Sequence, residues 1–157
     1  MKGEVRERMD FNRKAYGKLL KWKEQTQGES AILIEGERRV GKSYLSKRFA
    51  EKEYESYIYL DFANIEKDMI ELFENEMTDL DLFFLKLQTF YGVQLVSRKS
   101  CIIFDEVQMY PRARQMIKYL VADGRYCGRM SRTEGYPRNG IASVGVRGEG
   151  YRLACKR

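Results

Sequence analysis

Gly36-Glu37-Arg38-Arg39-Val40-Gly41-Lys42-Ser43 decides the reading of this chain, because it satisfies G-x-x-x-x-G-K-[ST] in full. The apolar run Ala31-Ile32-Leu33-Ile34 precedes it and a helical pattern follows it. Strand, glycine-bounded loop and helix in that order make a phosphate-binding device. The glycines let the backbone turn tightly and aim N–H groups at phosphate oxygens, and the helix start adds the positive end of its dipole. In such a loop the Lys42 ammonium reaches the β- and γ-phosphates and the Ser43 hydroxyl holds Mg²⁺. The candidate nucleotide-binding residues are therefore Gly36, Glu37, Arg38, Arg39, Val40, Gly41, Lys42 and Ser43.

A second stretch supplies the acids. Cys101-Ile102-Ile103-Phe104 is a short apolar run ending in Asp105-Glu106, the pattern of a buried parallel strand that delivers two carboxylates at its carboxyl end. Phosphoryl transfer uses both. Asp105 is the candidate metal-side carboxylate, together with Ser43, and Glu106 the candidate catalytic group that orients and polarises the attacking water. Adjacent acids at a strand end are common alone; some sixty residues after a phosphate loop they gain meaning.

Working outward, Phe11, Ala15, Leu19 and Trp22 recur at helical spacing and predict a first helix that Gln27-Gly28 ends. Trp22 and Tyr16 are candidates for an adenine contact or for ordinary packing. A strand is expected over Ala31 to Glu35, then a helix from Ser43 to Lys52 with Leu45 and Phe49 on its inner face. Tyr57-Ile58-Tyr59-Leu60 reads as the next strand, with Asp61 either facing the nucleotide or capping a turn. The acidic stretch from Glu66 to Asp81 covers one helix and the start of another, on which Leu80, Phe83, Phe84, Leu87 and Tyr91 form an apolar stripe. After the Asp105 strand, Pro111 opens a last helix carrying Ala113, Met116, Ile117, Leu120 and Val121, and Asp123-Gly124 ends it. Gln108, in the loop between, is a candidate sensor of the γ-phosphate. Arg112 and Arg114 are candidates for stabilising transition-state charge or for a solvated helical turn. Strands alternating with helices imply a parallel sheet.

The chain has 157 residues, 43% of them hydrophobic, and a formal charge of +6. That suits one domain. The charge is unevenly placed: Arg129, Arg132, Arg138, Arg147, Arg152, Lys156 and Arg157 face only Glu134 and Glu149 after residue 126, leaving the first 126 residues nearly neutral. No basic nucleic-acid face is indicated on the earlier part. There is no histidine, and three cysteines stand in no metal-ligand spacing, so neither a zinc site nor histidine acid–base chemistry is open to this chain. The N-terminus lacks the apolar stretch of a signal peptide and no run approaches membrane-spanning length, so a cytoplasmic, reduced protein without membrane contact is expected.

Glu35 to Ser43, Phe104-Asp105-Glu106-Val107-Gln108 and Pro111-Arg112-Ala113-Arg114 together resemble the bacterial and archaeal AAA-type P-loop ATPases that carry a nuclease-like C-terminal domain. The resemblance runs from about Phe11 to Tyr126. It implies an α/β P-loop NTPase fold, a parallel sheet flanked by helices, in which a strand separates the phosphate-loop strand from the Asp-Glu strand. It also implies ATP and Mg²⁺ as ligands, Mg²⁺-dependent hydrolysis as the activity, the Walker A roles for Lys42 and Ser43, the Walker B metal role for Asp105 and the catalytic role for Glu106.

Past Tyr126 the resemblance stops. The family continues into a core strand ending in a small polar sensor residue, then a lid and a second domain, and no such pattern is legible in residues 127–157. They contain six Gly and six Arg, one Leu, and neither Phe nor Asp. The chain is accordingly divided into a partial ATPase core, 1–126, and a basic Gly/Arg-rich tail, 127–157, expected to be disordered or the product of a shifted reading frame. A truncated sheet would expose an apolar edge and favour self-association. Rival readings make the tail a nucleic-acid binder, with Tyr136 and Tyr151 as its only aromatics, or a segment that folds onto the sheet. The alternative to an ATPase is a non-catalytic nucleotide-binding or protein-interaction remnant.

Overall fold

The computed structural model describes the backbone of residues 2–26, 30–36, 41–133, 146–148 and 151–156, and the side chains of 14–26, 30–34 and 41–126. Along the chain run α1 (Lys2–Thr26), β1 (Ala31–Gly36), α2 (Lys42–Glu53), β2 (Ser56–Asp61), α3 (Lys67–Asn75), α4 (Leu80–Tyr91), β3 (Ser100–Asp105), a 3₁₀ turn (Val107–Met109), α5 (Pro111–Asp123), β4 (Cys127–Thr133), β5 (Val146–Gly148) and β6 (Tyr151–Lys156). All six strands form one sheet in the order β2-β3-β4-β1-β6-β5. The first four in that order are mutually parallel, and β6 and β5 add antiparallel beyond β1. Every helix and strand expected up to Gly124 is present within a few residues of its expected bounds; the Gln27-Gly28 stop of α1 lies outside the described residues.

Strand alternation sends successive side chains to opposite faces of the sheet. Ala31 and Leu33 of β1, Ile58 and Leu60 of β2, and Ile102 and Phe104 of β3 join one core with Met69, Leu72 and Phe73 of α3, Phe83, Phe84 and Leu87 of α4, and Met116, Ile117 and Leu120 of α5. The intervening residues face the other way. Ile32 and Ile34 pack with Ala15, Leu19 and Trp22 of α1 and Leu45 and Phe49 of α2, while Cys101 and Ile103 pack with Ala50, Tyr57 and Tyr59. All six residues of β3 are buried. A strand buried on both faces must be apolar at both parities, which is why Cys101 to Phe104 read as a continuous run.

Local signals fix the helix ends. The Asp79 carboxylate accepts from the Leu82 N–H at 3.0 Å, capping α4, and Gly92 closes that helix at φ 62°. Pro111 occupies the first turn of α5, where its missing N–H is no loss, and Gly124 closes the helix at φ 72°.

The sequence gives no sign of a core strand after Tyr126, yet β4 lies between β1 and β3, with Leu33 opposite Met130 and Ile103 opposite Arg129. A strand thus separates β1 from β3, as the resemblance implies, and it begins one residue past the boundary drawn at Tyr126. Its place follows from backbone chemistry. An empty slot between β1 and β3 would leave two rows of N–H and C=O groups without partners, a cost any segment of adequate length relieves whatever its side-chain pattern. The other edge of β1 is covered by β6, where Ile34 faces Leu153. The exposed large apolar side chains among the described residues, Tyr44, Leu85, Phe90, Met109 and Tyr119, all lie off the strands.

Candidate nucleotide site

The phosphate-loop half of the site is framed by β1, which ends at Gly36, and by α2. Glu37, Arg38, Arg39 and Val40 lie outside the described residues. Gly41 stands at φ 91° and ψ 22° as the N-cap of α2, a left-handed conformation that a side chain would resist, and its carbonyl accepts the first helical bond from the Leu45 N–H at 2.9 Å. Lys42 follows at once and is buried, 5% exposed. A buried ammonium at a helix start, where the backbone N–H groups are positive too, is a local charge arrangement suited to an anion.

The carboxylate half is built at the end of β3. Asp105 is 3% exposed. Ser43 Oγ, 62 residues earlier, donates to Asp105 Oδ2 at 2.5 Å, and the Tyr59 hydroxyl of neighbouring β2 donates to the same oxygen. The Glu106 backbone N–H donates to Oδ1 at 3.0 Å. A buried carboxylate needs such donors to remain in place. Burial first, and then the bond to Asp105, push the Tyr59 phenol far above its ordinary value, so it is a donor at every physiological pH.

Glu106 adopts φ 53° and ψ 41°, one of two non-glycine residues at positive φ among those described. That conformation is uncommon for a residue with a β-carbon and tends to appear where a side chain must be aimed. It turns the chain out of β3 into the 3₁₀ turn. Gln108 Nε2 donates to Glu106 Oε2, whereas Gln108 Oε1 is buried with no hydrogen-bond partner among the described residues. Gln108 thus reaches Glu106 directly.

The remaining candidates separate. Asp61 accepts from the Ala63 N–H at 3.0 Å and from Asn64 Nδ2 at 2.8 Å, making it a turn aspartate. Tyr16 donates to Glu53 at 2.7 Å and packs edge-on against Phe49, while the Trp22 indole donates to Ser30 Oγ at 3.2 Å, so both serve packing. Arg112 is paired with Glu74 at 2.5 Å, and Tyr110 donates to the other oxygen of that carboxylate, also at 2.5 Å. Glu74 therefore ties the segment after the 3₁₀ turn to α3. Arg114 is half-buried one further position along α5 from the buried Ala113.

Three features escape a reading by motif. Tyr59 is one; its only sequence signal is a tyrosine at alternate positions of a half-buried strand, whose hydroxyl must find an acceptor. Glu74 is another, an ordinary surface glutamate by pattern. The third is Thr133, the last residue of β4, which by register stands opposite Gly36, where the phosphate loop leaves β1.

Comparison with known proteins agrees with this geometry. A family described as AAA domain matches residues 28–131, about two thirds of the chain, and so spans both motifs and most of β4. Neither the curated proteins nor the solved structures contain a match to the chain. No described helix is long and apolar enough to cross a membrane. With an α/β sheet in which one strand separates the phosphate-loop strand from the Asp-Glu strand, this chain belongs to the AAA domain family, an ATPase-like, nucleotide-binding class.

Proposed function

We propose that the chain binds Mg²⁺-ATP through Gly36 to Ser43 and Asp105, with Glu106 as the catalytic carboxylate. One observation carries this reading: Ser43 on the helix after the phosphate loop and Asp105 at the end of β3 meet in a direct hydrogen bond. Among the described residues no group of three or more acids, cysteines or histidines could cage a metal. One hydroxyl and one carboxylate, both hard oxygen donors, instead fit a cation that completes its shell with water and nucleotide phosphates, as Mg²⁺ does. When bound, that ion neutralises charge on the β- and γ-phosphate oxygens. Lys42 supports the same oxygens, Asp105 holds the cation side through Ser43, and Glu106, steadied by Gln108, orients a water and takes its proton.

Hydrolysis by this chain alone is proposed to be slow. Arg112 pairs with Glu74 on the surface and no arginine is assigned to the transition state, the lack of which costs such sites about 10³ to 10⁵ in rate. The alternative is a non-catalytic nucleotide-binding or interaction remnant that keeps the loop as a relic. We further assign the chain to the AAA-type branch with a nuclease-like C-terminal domain, on the motif strings already quoted, and propose the cytoplasmic location expected from its sequence. Self-association through an exposed sheet edge and nucleic-acid binding by the basic tail are the remaining partner proposals.

Titration with a fluorescent ATP analogue tests binding. Lys42→Ala is expected to weaken affinity by about 10- to 100-fold through loss of the buried charge. Equal affinity in the variant would remove the central claim. Phosphate release from the wild type and Glu106→Gln then separates slow hydrolysis from none: a wild-type rate above background that the substitution abolishes identifies Glu106 as the base.

A further inference from the structure

We propose that Tyr59 is a positioning residue for Asp105 and thereby sets how much divalent cation the nucleotide site requires. The inference rests on the Mg²⁺-ATP reading and deepens it. It begins with the number of donors on one carboxylate. Ser43 Oγ and the Tyr59 hydroxyl both donate to Asp105 Oδ2, and the Glu106 N–H donates to Oδ1. A carboxylate offers roughly four lone-pair positions, and at least three are taken. Donors on both oxygens fix the plane of the group and not merely its location, so Asp105 cannot swing about its Cβ–Cγ bond without breaking one of them.

Of the three donors, Ser43 and the Glu106 N–H belong to the site itself by position. Tyr59 does not. It arrives from β2, the edge strand on the far side of β3 from the phosphate loop, and its hydroxyl approaches Asp105 because Tyr59 and Asp105 share one face of the sheet. With Asp105 only 3% exposed, solvent has little access to replace that hydroxyl. The ring carries a second feature: Lys47 Nζ sits over it, 4.0 Å from the centroid. A cation on the ring face draws electron density from the phenol and makes its O–H a stronger donor. Lys47 follows Ser43 by four residues on α2, one helical turn, so both lie on the same side of that helix. The helix after the phosphate loop thus touches Asp105 directly, through Ser43, and again indirectly, through Lys47 and Tyr59.

Partners of this kind, one step removed from a cation, orient the group that faces it, and their loss commonly costs tenfold or more in metal affinity. Tyr59→Phe removes the hydroxyl while keeping the ring, its packing and its contact with Lys47. The test measures affinity for a fluorescent ATP analogue in EDTA and across a Mg²⁺ series, with the wild type, Tyr59→Phe and Lys47→Met. The expected result is that the gain in affinity on adding Mg²⁺ falls about tenfold in Tyr59→Phe and about two- to threefold, in the same direction, in Lys47→Met. Thermal unfolding is recorded alongside. A lowered melting temperature with an unchanged Mg²⁺ gain would make the hydroxyl a packing feature only and overturn the proposal, as would a Mg²⁺ gain that rises, which would show Tyr59 competing with the cation. Should Tyr59→Phe fail to fold, the exposed Lys47→Met decides by the same two signs. A wild type that binds the nucleotide with no Mg²⁺ gain overturns this inference and leaves nucleotide binding standing; a wild type that binds no nucleotide removes both.

Discussion

Ile58, Leu60, Ile102 and Phe104 on one face of the sheet meet phenylalanines of α3 and α4; Tyr57, Tyr59 and Asp105 on the other meet Glu51, Lys47 and Ser43 of α2. The same two strands build both faces. On the first, Phe73 touches Phe62, Phe83, Phe104 and Tyr110 at ring separations of 5.4 to 6.1 Å, all edge to face, and is fully buried. On the second, each polar group is placed by a partner on another element, and the site sits at its carboxyl-terminal end. The difference teaches how one buried sheet serves stability and chemistry together: apolar area holds the strands on one side, so the other side can carry a buried aspartate without unfolding the domain.

The largest expected effect tests the apolar face. Phe73→Ala removes a ring from the centre of the aromatic cluster and should cost about 3–5 kcal/mol in denaturant unfolding, while Tyr57→Phe on the opposite face, whose hydroxyl reaches only the exposed Glu51, should cost less than about 0.5 kcal/mol. Similar losses for the two would erase the division of labour between the faces.

A smaller effect sharpens the boundary between them. Tyr110 stacks on Phe62, at 5.8 Å and 6°, and its hydroxyl bonds Glu74, so it joins the apolar face to the segment that carries Glu106 and Gln108. Glu74→Gln removes the charge that holds Arg112 and weakens the bond from Tyr110. Because both groups are partly exposed, the expected loss is no more than about 1 kcal/mol. A greater loss would mean that this anchor belongs to the core.

The smallest is a pH effect on the same anchor. Burial, and after it the bond to Glu74, raise the Tyr110 phenol from 10.0 to about 12. The folded state therefore holds this proton more tightly than the unfolded chain. Its contribution is complete below pH 10 and is lost as pH rises through about 12. Denaturant unfolding across that window should show a downward slope that Tyr110→Phe flattens; an unchanged slope would detach the anchor from stability.

Much of this molecule is written locally. The phosphate loop, the strand that ends in Asp105-Glu106, the stripe of α4 and the bounds of α5 all follow from residues within one turn or one strand, because periodicity and capping act over three or four positions. Asp61 could be read either as a ligand-facing or a turn residue, and the turn was decided by its neighbours Ala63 and Asn64, still a local matter. What needed the tertiary structure is of another kind. Arg112 reads as a free cation until Glu74, 38 residues earlier, is placed beside it, and Tyr59 reads as a core tyrosine until β2 is set next to β3 in the register that brings its hydroxyl to Asp105. Strand β4 is the extreme case. Cys127 to Thr133 carry no period that marks a buried strand, since a slot between two parallel strands is filled by backbone N–H and C=O groups that every residue but proline has alike. Side-chain pattern is a property of the sequence, and the two motifs were legible in it alone. Strand order is a property of the whole sheet, and only the fold decided which groups meet Asp105 and which pair elsewhere.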